Sequence, residues 1–359
     1  MEPGRERVSS DTTSTTAVPG AGTRRRPIGG RRGAPTETED TMSRTIGFRR
    51  GVTLLLALVA LLAGATSCAQ RSSPDKETGR GDDPASAFPV RVELPGQDPV
   101  TLPEQPKRIV SLSPTATEVL YEIGAGEQVV AVDEYSTYPE RAPREDISAL
   151  NVGASTVSDY RPDLVIAQAG NAGELAKGLR ELDIPVLLTP SATDLPAAYE
   201  QMKALGRATG HGDEASDTVR RIRSEIDELV RQAPEPERSL TYYHEVSPDH
   251  FTATSKSFVG SVYEKFGLDN IADSAGGKFP QLSEERILRA DPDMIFLADT
   301  KTAGVSEQAV GNRPGWQTLT AVRQGHVYEL NEDVASRWGP RVVELARSIS
   351  EAIDDTRRS

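Results

Sequence analysis

Cysteine is almost missing: Cys68 is the only one in 359 residues, so no disulfide can form within the chain. Histidine is nearly as sparse, with four residues at 211, 244, 250 and 326. Their scatter argues against a histidine metal cage, although His244 alone could serve as one axial ligand. Basic residues fall short of acidic ones, 41 Lys and Arg against 54 Asp and Glu, and the net charge of −13 speaks against a nucleic-acid partner. G-x-S-x-G, G-x-x-x-x-G-K and H-E-x-x-H are all missing. With no nucleophile, general base or phosphate cradle in a recognisable pattern, an enzyme is the weaker class of reading.

Long hydrophobic runs are missing as well, with one exception. Val52 to Ala63 is apolar, follows Arg44, Arg49 and Arg50, and leads into Ala65-Thr66-Ser67-Cys68. It is too short to span a membrane comfortably. Basic flank, apolar run and small residues before a cysteine are the layout of a secretory signal over 42–67. Residues 1–41, rich in Arg, Thr, Gly and Pro, read as a disordered extension or a misassigned start. Residues 68–87, AQRSSPDKETGRGDDPASA after the cysteine, read as a flexible tether.

The rest of the chain is patterned for an α/β fold. From Asp213 to Gln232 the apolar residues Ala215, Val219, Ile222, Ile226, Leu229 and Val230 recur in steps of four and three, with one adjacent pair at the end, which predicts one long amphipathic helix. Pro234 and Pro236 forbid its continuation. Similar segments flank this helix. Tyr160-Arg161-Pro162-Asp163 precedes the apolar run Leu164–Ala167, and Ala290-Asp291-Pro292-Asp293 precedes Met294–Ala298. Upstream, VLYEIG (119–124) is matched by VYEKFG (262–267). Two matches in the same order predict two similar lobes, 88–209 and 237–359, with mostly parallel sheets joined by the helix in 210–236.

In such lobes ligands gather at the carboxyl ends of parallel strands. The turns predicted there carry the candidates: Ser113 and Thr115 at a helix start after Leu112, Tyr135 and Tyr138 after Val132, and Gln168 and Asn171 after Ala167. In the second lobe they are His244 after Tyr243, Phe258 at a helix start, Phe279, and Asp333, Arg337 and Trp338 before the last helix. Arg337, Trp338 and Arg341 together suit an anionic or amide-bearing ligand.

Four longer stretches then resemble a known family: PKRIVSLSPTATEVLYEIGAGEQVVAVDEYSTYP (106–139), YRPDLVIA (160–167), FPQLSEERILRADPDMIF (279–296) and RPGWQTLTAVRQGHVYEL (313–330). They look like the substrate-binding proteins of cobalamin and ferric-siderophore ABC importers, over about residues 105–355. The resemblance implies two Rossmann-like lobes on one rigid helix, a ligand held between them, and docking to a permease through one carboxylate per lobe. It places Glu285 as the second-lobe docking carboxylate. The first-lobe counterpart falls near Ser155, where the family usually has Glu, and Glu145, Asp146 or Asp159 would have to substitute. Phe279 stands where cobalamin-binding members carry Trp, and Asp333 and Arg337 fall where those members contact the corrinoid. Cys68 resembles the lipidated first residue of a bacterial lipoprotein, which implies an extracytoplasmic, membrane-anchored monomer working with a permease and an ATPase, with no metal or cofactor of its own.

Three ligand classes stay open: a corrinoid, a ferric siderophore held by Arg313, Arg337, Arg341, Tyr135 and Tyr138, or haem on His244 or a tyrosine. A non-transport scaffold of the same fold is a further alternative. A single bridging helix also predicts small lobe closure around a mostly preformed cleft.

Overall fold

Runs such as Ile109–Leu112 and Met294–Leu297 are buried at every position, as strands covered on both faces by helices must be. The computed structural model describes residues 88–234 and 238–358. Cys68, the signal segment, the tether and the extension before them lie outside these residues.

The chain begins with a hairpin of β1 (Val90–Val92) and β2 (Val100–Leu102), paired antiparallel around the turn at Gly96. The first lobe follows with β3 (Ile109–Leu112), α1 (Pro114–Glu122), β4 (Val129–Val132), α2 (Ala154–Ser158), β5 (Leu164–Gln168), α3 (Gly173–Arg180), β6 (Val186–Thr189) and α4 (Leu195–Thr209). Helix α5 (Gly212–Gln232) leads on to the second lobe. That lobe comprises β7 (Thr241–Glu245), α6 (Phe258–Lys265), β8 (Asp269–Asn270), α7 (Glu284–Ala290), β9 (Met294–Leu297), α8 (Glu307–Gly311), α9 (Thr320–Gln324), β10 (Val327–Glu329), α10 (Glu332–Ser336) and α11 (Val342–Arg358).

The two four-stranded sheets are wholly parallel and share one topology. Their orders are β4-β3-β5-β6 and β8-β7-β9-β10, so in each the first strand lies between the second and the third. The repeated Pro-Asp turns explain part of this likeness. Asp163 accepts hydrogen bonds from the backbone N–H groups of Lys107 (2.7 Å) and Arg108 (2.9 Å), and so ties the foot of β5 to that of β3. Asp293 does the same in the second lobe, accepting from the Thr241 N–H (2.8 Å) and hydroxyl (3.0 Å) and from Arg238 (Nη1, 2.8 Å).

Helix α5 starts one residue before the expected Asp213 and is about 31 Å long at 1.5 Å per residue. Its apolar stripe packs as the periodicity predicts, with Ala215, Val219, Ile222 and Ile226 buried. It is one arm of a helical hairpin: α4 ends at Gly210, which has a left-handed φ of +77°, and α5 begins two residues later. Gly206 lets the arms touch, because a Cβ there would lie 2.4 Å from that of Ala215. The charged side departs from simple i,i+4 pairing. Arg221 reaches Glu225 (3.1 Å) and also Glu122 at the end of α1, and Lys265 of α6 reaches Asp227 (3.2 Å).

Three apolar clusters follow. One fills the outer face of the first sheet around Val110, Val165 and Leu179, and another the outer face of the second around Ile295, Leu297 and Trp316. The third is shared, running without a break from Leu120, Met202 and Leu205 through Ile222 and Ile226 to Tyr263, Phe296 and Ile349.

The buried Asp293 joint gives a direct stability test. Asp293→Ala is expected to cost about 2–4 kcal/mol in urea unfolding, since it leaves the Thr241 groups unpaired. Arg220→Ala, which removes an exposed i,i+3 pair with Asp217, is expected to cost less than about 0.5 kcal/mol.

Candidate functional site

Both sheets direct their carboxyl ends to loops that hold small side chains and aromatics, and two cavities lie there. One, of about 170 Å³, belongs to the first lobe, where Leu112 and Pro114 follow β3, Asp133 and Tyr135 follow β4, and Gln168 and Asn171 follow β5. This is the crevice where the strand order reverses. The other, of about 200 Å³, lies between Ser191 and Ala192 of the first lobe and His244, Phe258, Phe279, Ala298 and Trp338 of the second. Each is smaller than the roughly 300 Å³ at which small-molecule pockets usually begin. Where one preformed cleft was expected, these two small cavities lie at the sheet ends.

A wall of charged contacts joins the lobes beside these cavities. Thr137 donates to Asp333 Oδ2 (3.1 Å), and Lys301 approaches the same oxygen (3.4 Å). Arg337 donates from Nη2 to Asp333 Oδ1 (2.8 Å) and to the Tyr135 carbonyl (3.0 Å), and from Nη1 to Glu118 Oε1 (2.8 Å). Arg341 holds both oxygens of Glu118, through Nε (2.9 Å) and Nη2 (2.5 Å). Its guanidinium also lies over the Tyr138 ring, 4.3 Å from the centroid. Burial works against the Asp333 carboxylate, but Arg337, Thr137 and Lys301 outweigh it and hold the group below the usual carboxylate range.

Of the candidates, Tyr135, Gln168 and Asn171 line the first cavity, and His244, Phe258, Phe279 and Trp338 the second. Tyr135, Tyr138 and Phe279 are each about half exposed, and Trp338 is fixed by donating from Nε1 to Gln201 (3.1 Å). Several candidates have partners within the protein. Ser113 is buried and caps α1 by accepting from the Ala116 N–H (3.3 Å), so local capping uses the side chain offered to a ligand. Thr115 is buried under Trp338 and α4. His244 is inside β7 rather than beyond it; its Nδ1 meets the Tyr263 hydroxyl at 2.9 Å, and burial pushes its pKa down to about 4. Arg313 is paired bidentately with the fully buried Glu245, at 2.6 Å to each oxygen. Arg337 and Arg341 are compensated by Asp333 and Glu118, so the cluster does not present two free cations to an anion.

Sequence reasoning missed Glu118, Glu245 and Asp299. Glu118 sits among the buried apolar positions of α1, and its partners come 219 and 223 residues later, beyond the reach of any local pattern. Asp299, just past β9, is buried with neither carboxyl oxygen meeting a donor among the described residues. Burial, and then the neighbouring Glu245 carboxylate, raise its pKa to about 7.

With this geometry in view, a sequence model described as "Periplasmic binding protein" matches residues 109–334, well over half of the chain. The chain belongs to the periplasmic binding protein family. An uncharacterized ABC transporter substrate-binding lipoprotein of Bacillus subtilis, YvrC, is 29% identical over 303 residues, covering 82% of this chain and 95% of that protein. The cobalamin-binding protein of Halobacterium salinarum is 29% identical over 322 residues, covering 86% of each. Among solved structures, the periplasmic vitamin B12 binding protein BtuF of Vibrio cholerae superposes with a TM-score of 0.58 at 27% identity, over 71% of this chain and 99% of that one. The two-lobed architecture is thus that of a periplasmic binding protein, with its cavities at the sheet edges that face one another.

In this binding-protein frame Glu285 is exposed in the first turn of α7, which Ser283 caps by accepting from the Arg286 N–H (3.3 Å). The backbone N–H at the helix start, and then the Ser283 hydroxyl, hold its carboxyl below the usual range. Ser155, Glu145, Asp146 and Asp159 are all exposed on the first lobe.

The Asp299 environment predicts a pH effect. The folded state holds this proton more tightly than the unfolded chain, so its stabilising contribution is complete below about pH 4 and lost as pH rises through about 7. The stability of the wild type relative to Asp299→Asn should therefore fall across that window in urea titrations; a pH-independent difference would refute the assignment.

Proposed function

We propose that the protein is an extracytoplasmic lipoprotein, anchored through Cys68, that captures a corrinoid in the cleft and delivers it to an ABC permease. One observation carries the ligand class: the polar groups of the cleft come as compensated donor–acceptor pairs, Arg337 with Asp333 and Arg341 with Glu118, beside exposed aromatic surface at Tyr135 and Phe279. A corrinoid is a flat macrocycle fringed by primary amides, each of which both donates and accepts. Such a ligand matches paired Arg and Asp side chains better than a polyanionic ferric catecholate, which would need uncompensated cations. The names of the Halobacterium and Vibrio proteins point the same way. Capture joins the two cavities, with the ligand replacing the contacts of Arg337 and Asp333 to Tyr135 and Thr137. The shared apolar cluster keeps this parting small.

Titration with cyanocobalamin is expected to give a saturable heat and to quench the fluorescence of Trp338, which lines the larger cavity. The absence of both, with a Soret shift on adding haemin, would replace the corrinoid reading by a haem reading.

For delivery, Glu285 serves as the second-lobe docking carboxylate, with Glu145, Asp146 or Asp159 standing in for the missing Glu near Ser155. Glu285→Ala is expected to lower stimulation of the permease ATPase at least severalfold while cyanocobalamin titrates as before, because the side chain lines neither cavity. No stimulation by either the wild type or the variant would favour a scaffold role, and stimulation unchanged by the substitution would overturn docking through Glu285.

A further inference from the structure

Glu118 differs from every other acid near the cleft. It is 3% exposed, belongs to the first lobe, and among the described residues its carboxylate is bonded only to arginines of the second. Its two partners are not equivalent. Arg341 gives the carboxylate two N–H groups, one to each oxygen, and stacks on Tyr138, which is a rigid planar pairing. Arg337 gives it one, and divides its other end between Asp333 and the Tyr135 carbonyl. Gly339 passes directly over the pair, where a Cβ would lie 3.1 Å from Glu118 Oε2, so the chain between the two arginines is shaped around this carboxylate.

We propose that Glu118 is a positioning residue for ligand selection. It fixes one end of the Arg337 guanidinium, so that the other end can exchange the Tyr135 carbonyl for a neutral acceptor oxygen of the ligand. It also cancels the charge that would otherwise draw carboxylates to this place. Arg341 is the fixed joint and Arg337 the adjustable donor. This deepens the corrinoid reading and rests on it for the identity of the acceptor, an amide carbonyl on the macrocycle fringe.

The test compares cyanocobalamin with its monocarboxylic acids, in which one propionamide is hydrolysed; these probes keep the shape and differ by one charge. Wild type should prefer the neutral form. Glu118→Gln leaves one guanidinium uncompensated, so the preference should shrink by about tenfold or reverse, with high salt restoring part of it. Arg337→Gln, which leaves Glu118 with Arg341, should widen the preference instead. It also keeps the test open if Glu118→Gln folds poorly. Equal weakening of both probes in Glu118→Gln would overturn the proposal, because a merely structural carboxylate would not change the ratio. A second measurement needs no ligand. In a crystal structure of unliganded Glu118→Gln, Arg337 should leave the Tyr135 carbonyl and turn onto Asp333, whereas an unmoved Arg337 overturns the positioning role. Wild type that binds neither probe overturns the corrinoid reading alone, and the crystal structure then decides the role of Glu118.

Discussion

One apolar cluster shared by both lobes is the constraint on which the rest depends. Leu120, Leu205, Ile222, Tyr263 and Ile349 belong to α1, α4, α5, α6 and α11, yet they pack as a single core. Domains that move far usually meet through small, rather polar interfaces. Here parting the lobes widely would expose core side chains, at a cost set by the area uncovered. The expectation of small lobe closure rests on this shared core, and the loops at the sheet edges carry the charged wall between the lobes.

That wall explains why apparently free cations are not free. A buried arginine is tolerated when its charge is matched and its N–H groups are satisfied. Arg313 meets this requirement inside the second lobe through Glu245, and Arg337 and Arg341 meet it across the lobes through Glu118 and Asp333. The first pair ties the end of β7 to the segment after α8. The others set what the cleft can offer: donors beside acceptors, with little net charge. A neutral, amide-bearing ligand follows from that balance more readily than an anion does.

Much of the fold was legible because its rules are local. The Pro-Asp turns, the Gly after each VLYEI-like helix, the Ser caps at 113, 257 and 283 and the helical stripe of α5 are written in adjacent residues, and the elements appear where these mark them. The candidate site was legible only as a set of loops. Tyr135, Gln168, Asn171, Phe258, Phe279 and Trp338 do border the cavities. Ser113 caps α1, and His244 meets the Tyr263 hydroxyl while it lines the second cavity, so local partners already use these side chains.

The sequence by itself determined that there are two like lobes, that each is a parallel sheet, and that one long helix connects them, because hydrophobic period and turn chemistry act over a few residues. Tertiary structure alone decided which arginines are spoken for, that Glu118 joins the lobes, and that Asp299 is buried beside Glu245. Those outcomes depend on partners separated by up to 223 residues, whose meeting follows from packing and burial rather than from any local pattern.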